Sequence, residues 1–213
     1  MLIFGSKQLS AVMRCNMEIL STRRLILREM TPEDLNDLAS ILEDEETMYA
    51  YEGAFTREET IAWMGRQFDR YKRDGFGLWA VILRQTGEMI GQCGITLQMI
   101  GDETLPEIGY LFRRDQWGNG YATEAAQACR RHAFKQLGIQ EVYSIIRDTN
   151  IASINVAIRN GMHIRRRFVK QYRGIDMPHY LFVAMNDRAV PEQKEEYNVI
   201  FREMPAEQGV VTV

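Results

Sequence analysis

The sequence predicts an α/β protein of the α+β kind, with a mixed central sheet of six to seven strands, mostly antiparallel, and about four flanking helices. Three observations predict it. Runs of apolar residues at helical spacing begin at recognisable caps. Three strand-like runs between Phe76 and Phe112 are joined by short turns, which gives an antiparallel meander. One strand–helix–strand passage, from Glu107 to Ile146, calls for a parallel crossover.

The elements follow in order. Arg24–Arg28 is a short apolar run with charged ends and reads as a strand. Thr31-Pro32-Glu33-Asp34 starts a helix: a hydroxyl cap, proline at the first helical position, then acids. Leu35, Leu38, Ile41 and Leu42 continue it. Thr56-Arg57-Glu58-Glu59 is a capping box, and Ile61, Met64, Phe68 and Tyr71 carry an apolar stripe to Asp74-Gly75. Phe76–Leu83 and Met89–Gln98 pair across the turn Gln85–Glu88, and a second turn over Asp102–Thr104 leads to the strand ending at Phe112. A helix from about Ala122 to Leu137 buries Ala122, Ala125, Ala126, Cys129, Ala133, Phe134 and Leu137, and Gly138 ends it. Val142–Ile146 is the parallel strand. Ile151–Arg159 is a short helix with Ile154 and Ala157/Ile158 inward. His163–Tyr172 and His179–Asn186 pair as a hairpin around Gly174.

Residues 1–16 read as an extension, 17–186 as the domain and 187–213 as a polar appendage with an extra helix over Glu192–Met204. A net charge of -3 argues against nucleic-acid binding by bulk electrostatics. Three widely spaced cysteines show no metal-ligand spacing and suit a reducing, cytoplasmic compartment. No run approaches the ~18 apolar residues of a membrane span. The start MLIFG has no charged leader before it and no clear cleavage site. Exposed sheet edges and the polar tail leave a monomer or a homodimer open.

The chemistry centres on Trp117-Gly118-Asn119-Gly120-Tyr121-Ala122-Thr123, between a strand and an alanine-rich helix. Two glycines at such a junction let the backbone approach a ligand closely, and the helix behind them turns free N–H groups and its positive end toward that turn. A pyrophosphate suits the site. A dinucleotide fingerprint needs a different strand context. A Walker loop needs Lys-Ser/Thr where this chain has Tyr121-Ala122.

The stretch resembles the acyl-CoA pyrophosphate loop of the GNAT N-acetyltransferase superfamily, Gln/Arg-x-x-Gly-x-Gly/Ala. Gly120 and Ala122 match, and Trp117 replaces the Gln/Arg. That replacement and the following Thr-Glu-Ala are similar to the branch of ribosomal-protein-alanine N-acetyltransferases. Thr22–Arg28 resembles the branch's opening strand and Glu107–Tyr110 its fourth strand. Asn150–Met162 resembles its second motif, Asn-x-x-Ser-x-x-Val-x-x-Lys-x-Gly-Phe, with Arg159 and Met162 as departures.

The resemblance implies a GNAT fold with a splayed parallel strand pair, and acetyl-CoA as cofactor. The acetyl group goes to a primary amine by direct attack. It implies Glu107 as the base and Ser153 as proton donor, since Ala157 stands where many relatives carry a tyrosine acid. Leu111 or Phe112 would supply the polarising N–H. Arg113, Asn150 and Asn155 join residues 117–123 as cofactor contacts, and Arg114 is a candidate for the CoA phosphates. Tyr49, Tyr51 and Phe55 would wall the acceptor site. The acceptor stays open among a protein N-terminus, a polyamine, an aminoglycoside and an amino acid. Acids Glu43–Glu46 hint at a cationic one. A non-catalytic acyl-CoA-binding sensor is the other reading.

Overall fold

The structure, a computed structural model, describes residues 18–51, 53–172 and 174–186. The extension, the appendage with its expected helix, and Cys15 lie outside the described residues. Eight strands form one sheet: β1 (Glu18–Ser21), β2 (Leu25–Arg28), β3 (Leu78–Leu83), β4 (Met89–Ile100), β5 (Glu103–Phe112), β6 (Glu141–Arg147), β7 (His163–Tyr172) and β8 (Ile175–Met185). Their order is β1-β2-β3-β4-β5-β6-β8-β7. Every pairing is antiparallel except β5 with β6.

The sheet has more strands than the six to seven expected. The addition is β1, four residues that pair with β2 and are too short to show a period of two in the sequence. The meander's second turn is Gly101-Asp102, with β5 already begun at Glu103. β8 starts at Ile175, four residues before the expected His179.

Among the described residues, four α-helices cover the two faces. α1 (Leu35–Leu42) and α2 (Arg57–Asp74) pack on one, where Leu38, Ile41, Leu42 and Met64 meet Leu78, Ala80 and Ile82. α3 (Tyr121–Lys135) and α4 (Ile151–Arg159) pack on the other, where Ala125, Ala126, Cys129 and Ala157 meet Trp79, Val81, Ile108 and Phe112. Small residues on α3 bring its axis close to the sheet. β3 lies under both layers, and its continuous run LWAVIL is buried at every position. Trp79 is a core residue, 1% exposed and edge-on to His132. Cys129 is fully buried, its Sγ 3.6 Å from that of Cys93.

The expected start at Thr31 forms a short 3-10 turn over Pro32–Asp34 without a side-chain cap bond, and α1 begins only at Leu35, whereas the caps of α2 match the residues that announced them. The Thr56 hydroxyl accepts the Glu59 N–H, and the Glu59 carboxylate accepts the Thr56 N–H at 2.8 Å. Gly75 ends α2 at φ +77°. β4 crosses β3 so closely at Gly94 that an added Cβ would sit 1.9 Å from the Gly77 carbonyl oxygen.

Some expected core residues are outside. Leu137 lies past the end of α3 and is 37% exposed, because the closing turn carries it out. Ile61 and Ile158 are also exposed. α4 is short and meets the core along one edge, through Ile154, Val156 and Ala157. Arg165, Arg166 and Arg167 follow one another on β7. A bulge between Ile164 and Arg166 and an uncovered edge strand leave all three arginines exposed. They pair with Glu141, Glu103 and Asp148.

Candidate active site

β5 and β6 share one registered pair, Glu107 with Tyr143, and then diverge. Side chains take over the hydrogen bonds near the fork. The Glu107 Oε1 accepts the Ile145 N–H at 3.3 Å, and the Ser144 hydroxyl donates to the Ile108 carbonyl at 2.8 Å. Beyond this point the β6-facing edge of β5 has no strand partner among the described residues.

The antiparallel ladder fixes which amides face that gap. The Arg113 N–H donates to Ile90 of β4 at 2.9 Å, and no register shift interrupts the β4–β5 pairing. Alternation then turns the Leu111 N–H toward β4 and the Tyr110 and Phe112 N–H groups toward the gap. Of the two polarisers expected from the sequence, Phe112 has the right orientation and Leu111 does not.

Two cavities meet at the fork. One, of about 380 Å³, runs along Tyr110–Phe112 to the glycine turn and the start of α3. The expected residues Leu111, Phe112, Trp117, Gly118, Gly120, Tyr121, Ala122, Thr123, Asn150, Ser153 and Asn155 all line it. Gly118 and Gly120 both have φ near +78°, which favours glycine, and an added Cβ at Gly118 would meet open space. Among the described residues no side chain caps α3, whereas Thr56 caps α2 and Asn150 caps α4 by accepting the Ser153 N–H at 3.0 Å. The first N–H groups of α3 are therefore offered to the cavity.

Two expected contacts fall elsewhere. Arg113 does not line this cavity, because its guanidinium is held by Asp115 at 2.7 Å. Asn119 also lies off the wall, with its carbonyl accepting Arg24 Nη1 at 3.0 Å. Arg114 is bound to Glu46 at 2.6 Å.

Arg24 ties the loop down from behind. Its guanidinium lies 4.4 Å from the centre of the Tyr121 ring, and its Nε donates to Glu124 at 2.6 Å. Glu124 also accepts the Thr22 hydroxyl at 2.6 Å and the Arg24 N–H at 3.0 Å. The Trp117 indole donates to the Phe112 carbonyl at 2.9 Å, which fixes the loop to the end of β5.

The second cavity, of about 330 Å³, opens on the α2 face. Tyr51, Phe55 and Trp63 form an edge-to-face aromatic wall there, with centroids 5.7–6.5 Å apart. Tyr49 stands on the other side of the fork, in the first cavity. Glu107 lines the second cavity at its inner end. Burial raises its carboxyl pKa above the ordinary value, against the opposing effects of Lys170, the Ile145 N–H, Arg70 and Thr96.

The acids Glu43–Glu46 are not part of the site. Glu43 pairs with Arg57, Asp44 accepts from Thr47, Glu45 accepts the Ala54 N–H and Glu46 holds Arg114. The hint of a cationic acceptor is thereby removed.

Tyr110 belongs to the site, although the sequence marked it only as part of a strand motif. It lines both cavities, and its hydroxyl donates to the Ser153 carbonyl at 2.9 Å. Burial pushes its pKa well above the ordinary tyrosine value, so it stays protonated. Ala157 is buried in the core and cannot reach the gap.

A forked parallel pair thus has an uncapped helix start with its glycine turn in one cavity and a buried carboxylate in the other. Residues 24–163 match the family model for the acetyltransferase (GNAT) domain, and the chain belongs to that family. It is 39% identical over 152 residues to the uncharacterized protein YkkB of Bacillus subtilis, covering 71% of this chain and 88% of that protein. It is 31% identical to the uncharacterized N-acetyltransferase YnaD of the same organism, over 71% of this chain and 86% of that one. RimL, a ribosomal-protein α-N-acetyltransferase solved with coenzyme A, superposes with a TM-score of 0.67 at 19% identity, over 80% of this chain and 99% of that one. The chain is thus an acetyl-CoA-dependent N-acetyltransferase. Among the described residues, no helix is long and apolar enough to cross a membrane.

Proposed function

We propose that the enzyme moves the acetyl group directly onto a primary amine, with Glu107 as general base. The observation that carries this is the place of Glu107, inside the acceptor cavity at the point where β5 and β6 part. Acetyl-CoA, when bound, supplies an activated thioester. Gly118, Gly120 and the N–H groups of Tyr121, Ala122 and Thr123 would hold its pyrophosphate. The β6-facing edge of Tyr110–Phe112 would hold the chain beyond it as an added strand.

The Phe112 N–H is the donor for charge developing on the acetyl oxygen. Glu107 takes the amine proton, and its raised pKa makes it a stronger base than an exposed glutamate. The Tyr110 hydroxyl is committed to the Ser153 carbonyl, which leaves the Ser153 hydroxyl as the donor at the junction. A thiol has an ordinary pKa of about 8.5, so a hydrogen bond to the departing sulfur suffices near neutral pH.

Two-substrate kinetics by thiol release test direct attack. Varying acetyl-CoA at several amine concentrations gives intersecting double-reciprocal lines, and acetyl-CoA alone leaves no acetylated protein. Parallel lines with a stable acetyl-enzyme would overturn the mechanism. Tight acetyl-CoA binding without turnover of any amine would favour a sensor.

A further inference from the structure

The acceptor cavity carries an excess of positive charge. Among the described residues, four cations line it, Arg66, Arg70, Arg147 and Lys170, against the single carboxylate of Glu107. Both Glu107 oxygens are engaged, by the Ile145 N–H and by Thr96. Arg66 and Arg70 are one turn apart on α2, an arrangement of like charges that weakens a helix unless something compensates. Arg70 is half-buried, and its Nη1 donates at 3.1 Å to the neutral amide oxygen of Gln67. Arg66 lies 5.3 Å from the Trp63 ring centre. Lys170 reaches the cavity from β7, on the opposite wall. None of these three makes an ion pair with a described carboxylate. Arg70 feels the charges of Glu107 and Asp74 without a direct ion pair, and a half-buried cation held only in this way favours an incoming anion. None of the three lines the donor cavity, so CoA phosphates do not account for them.

We infer that the acceptor is a small primary amine that itself bears a carboxylate or a phosphate, held by Arg66, Arg70 and Lys170 while its amine faces Glu107. The inference rests on the transferase reading above. The cavity, about 330 Å³, lies at the small end of ligand sites, and its aromatic wall suits the carbon skeleton between the two polar ends. Polyamines and aminoglycosides, which bring only positive charge, are disfavoured by the same cations.

The test is thiol release with matched amines: ethanolamine phosphate against ethanolamine, β-alanine against β-alaninamide, with spermidine and a short acidic peptide alongside. One or both anionic small amines exceed their neutral partners in kcat/KM by about tenfold or more, and the better pair identifies the anion. Replacing both arginines, Arg66→Gln with Arg70→Gln, raises KM for that amine about tenfold while kcat changes less than about threefold. Arg66 and Lys170 are exposed, so Arg66→Gln and Lys170→Gln singly keep the test valid if the double variant folds poorly. Each should raise KM by about threefold. Equal turnover of neutral and anionic partners, or a preference for spermidine or for the peptide, overturns this inference and leaves the transferase reading standing. No transfer to any amine while acetyl-CoA binds overturns both.

Discussion

Glu124→Ala removes the carboxylate that anchors the start of α3 to the edge of the sheet. Three bonds go with it, from the Thr22 hydroxyl, the Arg24 N–H and the Arg24 Nε. The ion pair contributes less than its 2.6 Å length suggests, because the Arg24 side chain is 40% exposed. The larger loss is the Arg24 N–H left without its acceptor in a half-buried place, about 1–3 kcal/mol, since the Thr22 hydroxyl keeps the Leu25 carbonyl at 3.4 Å. We expect a total of about 2–3 kcal/mol, which for a chain of this size lowers Tm by about 5–10 °C. The loss is local to the glycine turn, since Arg24 also holds the Asn119 carbonyl. Affinity for acetyl-CoA therefore falls about tenfold or more by calorimetry, and KM for the amine changes less than about threefold. Burial acts to raise the Glu124 pKa, but the bonds from Thr22 and Arg24 outweigh it and leave the pKa below the ordinary value. A depressed carboxylate stabilises the fold above its unfolded pKa of about 4.3, and that contribution is lost as pH falls through the folded value. The Tm gap between wild type and variant therefore narrows below about pH 4. A variant that melts within about 2 °C of wild type at pH 7.5, or that binds acetyl-CoA equally well, refutes this reasoning.

Two further outcomes follow from packing and charge. A carboxyl with a raised pKa contributes stability below its unfolded value and loses it as pH rises through the folded value, so Glu107→Gln should melt about 2 °C or more above wild type at pH 8 and level with it near pH 4. A lower Tm at pH 8 would show that burial costs the ionised carboxylate little. Gly94→Ala forces a methyl group against the Gly77 carbonyl and should cost about 3 kcal/mol or more in urea unfolding. A loss below about 1 kcal/mol would mean that β3 and β4 can separate freely there.

Much of the fold could be read from the residues, for identifiable reasons. Thr56 with Glu59, Asn150 and Gly75 are local signals, and they act locally in the structure. The parallel β5–β6 pair followed from chain order alone. Leu137 and Ile158 were misplaced because helical spacing predicts a face but not how far the neighbouring sheet extends beneath it. In the donor cavity, the glycine turn and the Asn150 helix were legible because each is one short segment. The acceptor cavity was not. Arg66 and Arg70 resemble the solvated face that Lys72 and Arg73 form further along α2. Only the fold brings Lys170, about a hundred residues away, to the same space. The acids of Glu43–Glu46 misled because their partners, Arg57, Thr47, Ala54 and Arg114, come from later in the chain. The choice of Phe112 over Leu111 rests on strand register, which side-chain identity does not reveal.

The most direct test of the account is Glu107→Gln, measured by turnover and by acetyl-CoA binding on the same preparation. We expect kcat/KM to fall about a hundredfold or more, with the acetyl-CoA Kd unchanged. The wild-type kcat/KM should also drop on the acid side at a pH above the ordinary glutamate value, in step with the raised Glu107 pKa. A variant that keeps turnover within about threefold of wild type, with the same acid limb, would contradict the assignment of Glu107 as the base.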